Sequence, residues 1–124
     1  MKYKFTEIIK GGLMNLQSEK VKDVNILYVR EERLDAHNSG DLKAELARLF
    51  GEKEKNILVD LKDVRFIDSS GLGALVSGFK NAISQQGSLK LAGLQPQVKS
   101  MFELTRLHRV FEIFNSFEEA METY

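Results

Sequence analysis

A chain of 124 residues can bury one continuous core but not two, and an apolar fraction of 43% offsets enough chain entropy to exclude a disordered protein. Lys plus Arg equals Asp plus Glu at 18 each, so no net field draws the chain to nucleic acid or to anionic membranes. Without cysteine there is no disulfide, thiolate metal ligand or cysteine nucleophile; without a long apolar run or a secretory pattern, the expected location is the cytoplasm, with no membrane insertion.

Residues 1–12 set Lys2, Lys4, Glu7 and Lys10 among Tyr3, Phe5, Ile8 and Ile9 ahead of Gly11 and Gly12, a pattern open to a strand, a short helix or an extension. Residues 1–13 are therefore set apart as an extension or extra strand, and residues 14–124 as the single domain. A first hairpin is expected from residues 14–21 and 24–29, with Lys22 and Asp23 as its turn. Asn38 or Ser39 can cap a helix whose apolar stripe is Leu42, Leu46, Leu49 and Phe50, and Gly51 can end it as a left-handed cap.

Residues 56–61 form a nearly continuous apolar run, as in a strand buried on both faces. After Val64, Arg65, Phe66 and Ile67 the period changes: Leu72, Leu75, Val76, Phe79 and Ile83 recur at helical spacing as far as about Gln86 and Gly87. A short strand over 88–93 follows, then a helix over 95–107 with Pro96 near its start and Val98, Met101, Phe102 and Leu104 on its apolar face. Residues 110–114 read as a last strand, and Ser116 with Glu119 as a capping box opening a terminal helix. Strands alternating with helices predict an α/β fold: a mixed, largely parallel sheet of about four to five strands with about four helices packed on it.

Chemistry is expected at the hinge between the buried strand and the second helix, where Asp68, Ser69, Ser70, Gly71 and Gly73 cluster. Leading amides of a helix lack intrahelical partners, so Ser69 or Ser70 can serve simply as an N-cap. Glycine costs up to about 1 kcal/mol in a helix relative to alanine, so two on a first turn suggest a close backbone approach. A phosphoryl group on such a serine meets free amides and a favourable helix dipole, and adds roughly 1.5 to 2 negative charges beside Asp68.

Phe66-Ile67-Asp68-Ser69-Ser70-Gly71-Leu72-Gly73, preceded by the apolar strand and followed by Ala74-Leu75-Val76, resembles the signature of the STAS domain family, in its bacterial anti-sigma-factor antagonist form. Leu34-Asp35-Ala36 resembles the acidic turn these proteins carry before their first helix, and the order of elements matches over nearly all but the first dozen residues. The resemblance implies a non-enzymatic regulator, a monomer or weak homodimer, that binds an anti-sigma factor acting as a serine protein kinase. Phosphorylation by that kinase switches it off, and a serine phosphatase restores it. By position the modified residue is Ser69, with Ser70 the alternative and the expected cap, and the partner-binding set is Asp35, Asp68, Ser69, Ser70, Gly71, Leu72 and Gly73. Glu32 stands where many members carry glycine, which bears on the local turn.

Other readings compete less well. A serine nucleophile needs a base, and His37 and His108 stand in no recognisable arrangement with Ser69. Two histidines without cysteine predict no metal site, and no phosphate-cradling loop calls for a cofactor. Asp60 ends a buried strand as a phospho-acceptor aspartate does, but Asp23 and Lys90 are misplaced for a receiver domain. A STAS scaffold subunit of a lipid-transport or stress-signalling complex is the alternative function within the same fold.

Overall fold

The sheet begins with a hairpin whose turn is set by two residues. In the computed structural model, which describes residues 5–10 and 14–124, β2 (Asn15–Val21) and β3 (Val24–Val29) pair antiparallel across Lys22 and Asp23. Both turn residues are left-handed, at φ 54° and 65°, the two-residue geometry whose twist matches that of its flanking strands. β1 (Phe5–Lys10) adds antiparallel to β2.

β3 then pairs parallel with β5 (Asn56–Asp60), β5 with β7 (Ser88–Ala92), and β7 with β8 (Ile113–Phe114), in the sheet order β1-β2-β3-β5-β7-β8. Parallel neighbours require crossovers, and here these carry α1 (Ser39–Gly51), α2 (Ser69–Ser84) and α3 (Pro96–Leu104). Leu42, Leu46 and Phe50 of α1, Leu75 of α2 and Phe102 of α3 join one buried cluster with Ile57, Val59 and Leu91, so all three helices cover one sheet face. Phe111 locks the far side, edge-on to Phe79 at 5.1 Å and to Phe102 at 5.7 Å. The other face carries α4 (Phe117–Met121), whose Ala120 packs with Val24, Ile26, Leu58 and Ala92. Ser116 caps α4 by accepting the Glu119 amide at 3.1 Å, half of the expected capping box.

The mixed α/β architecture agrees with the sequence. The strand count is higher than the four to five expected: the main sheet has six strands, β1 among them, and a second sheet pairs β4 (Arg33–Leu34) in parallel with β6 (Phe66–Ile67). Strands of two residues carry no readable period.

Two helix ends differ from expectation. Gly51 is the last residue of α1 and not a left-handed cap; that conformation falls two residues on, at Lys53, with φ 68°. α2 stops at Ser84, and the left-handed residue of its exit is Gln86, at φ 59°. Gly87 serves packing instead, since a Cβ there would collide with the Lys55 carbonyl.

Candidate functional site

The β4–β6 pairing builds the site. Register partners Arg33 with Phe66 and Leu34 with Ile67 deliver Asp35 and Asp68 side by side as each chain leaves its strand. Amides of the second segment follow the first: Arg65 and Phe66 donate to the Glu32 carbonyl at 2.7 and 3.2 Å, and Asp68 donates to the Leu34 carbonyl at 3.3 Å. Glu32 needs no glycine-like conformation, so the departure there is tolerated. Asn38 holds the Asp35 turn, accepting the Asp35 amide at 3.0 Å and donating to the Arg33 carbonyl at 2.8 Å. Although Asn38 is the N-cap of α1 by position, its side chain is used for this turn.

The cap of α2 is Asp68, and this corrects the expectation for Ser70. Asp68 is extended, at φ −114° and ψ −173°, and its Oδ1 accepts the Gly71 amide at 3.0 Å. Ser69 and Ser70 are the first two residues of the helix itself. Asp, Ser and Ser are all good caps, so composition alone leaves their order open. Asp68→Ala is expected to lower stability by about 1 kcal/mol in urea unfolding, and Ser70→Ala by much less, because only the first removes a cap.

The glycines divide their roles. A Cβ on Gly71 would sit 2.5 Å from the Leu34 carbonyl oxygen and 2.7 Å from Ile67 Cγ1, so here the close backbone approach is real. A Cβ on Gly73 would meet nothing within 4 Å, and Gly73 is exposed. Of the expected partner-binding residues, Asp68, Ser69 and Gly73 are exposed, Asp35 and Ser70 are partly buried, and Gly71 and Leu72 lie beneath them in the core.

Beside the serines is a cleft of about 200 Å³ lined by Arg33, Asp35, Phe66, Ile67, Asp68 and Gln97. Four of these, Arg33, Phe66, Ile67 and Gln97, lie outside the site residues expected from the sequence. Phe66 is 44% exposed and carries the Arg33 guanidinium 4.9 Å from its ring centroid, and Gln97 reaches from α3 to accept the Ile67 amide at 3.2 Å. Nothing in the local pattern marks Gln97. Arg33 was findable, since it directly precedes the Leu34-Asp35 pair.

Neither histidine is hydrogen-bonded to Ser69 among the described residues: the His37 amide donates to Asp35, and the His108 ring lies 3.3 Å from the Phe102 carbonyl. Asp60 is buried, with Oδ1 accepting the Lys62 amide at 2.9 Å, and burial raises its pKa. It belongs to a different cleft, lined also by Glu19, Tyr28 and Lys62. No group of three or more His, Cys, Asp or Glu among the described residues could hold a metal ion, and no helix among them is long and apolar enough to cross a membrane.

The STAS domain model matches residues 15–120. The chain belongs to the STAS domain family. Among curated relatives of this STAS domain, the anti-sigma-B factor antagonist of Bacillus subtilis is 32% identical over 101 residues, 81% of this chain and 92% of its own length. The NMR structure of the protein TM1081 is 31% identical, with a TM-score of 0.74 over 85% of this chain and 84% of that one. SpoIIAA, an anti-sigma factor antagonist solved in its unphosphorylated form, shares the fold at 18% identity, with a TM-score of 0.67 over 87% of this chain and 94% of its own.

Proposed function

We propose that this STAS domain is an anti-sigma-factor antagonist whose unmodified Ser69 face binds a serine-kinase anti-sigma factor and whose phosphorylation at Ser69 ends that binding. Regulation of transcription is then indirect, through release of a sigma factor, and a serine phosphatase resets the cycle. The observation that carries the reading is the exposed Ser69 at the first position of a helix whose cap, Asp68, is already spent on Gly71.

That placement does three things. It presents the hydroxyl of Ser69 on a helix mouth, accessible to a kinase. It leaves the leading amides and the helix dipole to favour the phosphorylated state by roughly 0.3 to 1 kcal/mol. It also puts the new charge next to Asp68 and the neighbouring Asp35, so the mouth becomes strongly anionic without any change of fold. The partner surface suited to the unmodified face is close-packed and shaped to the flat position at Gly73.

Incubation with the candidate kinase and ATP, followed by mass spectrometric mapping, is expected to place one phosphate on Ser69. Ser69→Ala is expected to incorporate none and to bind the anti-sigma factor within about twofold of the parent, since no buried contact is lost. A phosphate mapping away from both Ser69 and Ser70, or none at all, contradicts the reading.

A further inference from the structure

We propose that Arg33 reads the phosphorylation state, its guanidinium pairing in cis with the phosphate on Ser69; this rests on the assignment of Ser69 given above. Arg33 is held ready for an anion. Its carbon Cζ lies 4.9 Å from the Phe66 ring centroid, and its Nε is 3.5 Å from Asp35 Oδ2. The two terminal amino groups make no ion pair or hydrogen bond among the described residues, and the side chain is 62% exposed. The edge of the guanidinium suited to bidentate phosphate recognition is thus unspent, on a ring platform that limits the entropy lost on pairing.

Position and charge both favour Ser69 as the source of that anion. Arg33 is the register partner of Phe66, and Ser69 lies three positions along the chain from Phe66, at most about 10 Å when fully extended. Among the described residues lining the cleft that Asp35 and Asp68 share, Arg33 is the one cation. A phosphate of roughly −1.5 to −2 placed beside two carboxylates has a strong claim on it. Asp35 gives it up readily, because a 3.5 Å contact to a largely exposed arginine is weak and Asp35 Oδ1 keeps the His37 amide. Phosphorylation would then also swing the guanidinium off the surface that the unmodified chain offers its partner.

The test uses the full chain with phosphoserine installed at position 69, its second ionisation followed by phosphorus NMR in the parent, Arg33→Gln and Arg33→Lys. An arginine pairing with the phosphate favours the dianion, so the parent is expected to titrate about 1 unit below Arg33→Gln, with Arg33→Lys between them. Superimposed curves for the parent and Arg33→Gln overturn the proposal. Because Arg33 is exposed, circular dichroism of each variant is expected to match the parent. Titration needs neither kinase nor partner, so its failure is distinct from a failure of the Ser69 switch, which is judged by phosphosite mapping and partner binding.

Discussion

Gly71→Ala is expected to destabilise the domain by about 3 kcal/mol, at the upper end of what one inserted methyl does to a packed site, and to weaken partner binding at the same time. The added Cβ would meet the Leu34 carbonyl oxygen at 2.5 Å, Ile67 Cγ1 at 2.7 Å and Leu34 Cγ at 2.9 Å. The first of these is backbone, and it cannot turn aside as a flexible side chain can. β4 must therefore move, and with it the turn that positions Asp35. Gly73→Ala is the control on the same turn of the same helix. Nothing lies within 4 Å of its Cβ, so the substitution is expected to stabilise by roughly 0.8 to 1 kcal/mol through helix propensity while still disturbing the partner face. Urea unfolding separates the two, with midpoints moving in opposite directions. If both variants lose stability alike, the close approach of β4 is not what requires Gly71.

Ser69→Asp is expected to weaken anti-sigma factor binding by about 100-fold, the ratio that about 2.7 kcal/mol produces, since a charge is forced against a close-packed neutral contact. Folding stability is expected to change by less than about 1 kcal/mol, because the helix dipole favours the new charge while Asp68 and Asp35 oppose it. A variant that binds as tightly as the parent, measured by titration calorimetry, removes charge as the lever of the switch.

Much of this was legible in the sequence because it follows from long periods. Leu42, Leu46 and Phe50, or the run from Ile57 to Asp60, have only one way to be buried, and the helices and parallel strands follow from them. The hinge was legible as a place, since a change of period marks it and Gly71 sits where a Cβ cannot. What escaped was decided by contacts between distant residues. The β4–β6 pair has two residues on each side and no pattern of its own, yet it brings Asp35 to Asp68. The choice of Asp68 over Ser70 as cap turned on the extended backbone at Asp68. Gln97 lies 30 residues from the amide it accepts, and Lys53 and Gln86, not glycines, took the left-handed turns.

Titration calorimetry of the kinase-type anti-sigma factor with the parent, the chain phosphorylated at Ser69 and Ser69→Ala tests the central claim most directly. The parent and Ser69→Ala are expected to bind alike, with the phosphorylated chain at least about 100-fold weaker, the ratio that a loss of about 2.7 kcal/mol produces when a charge is forced against a neutral contact. Equal affinity of the phosphorylated and unmodified chains would contradict a charge switch at the mouth of α2.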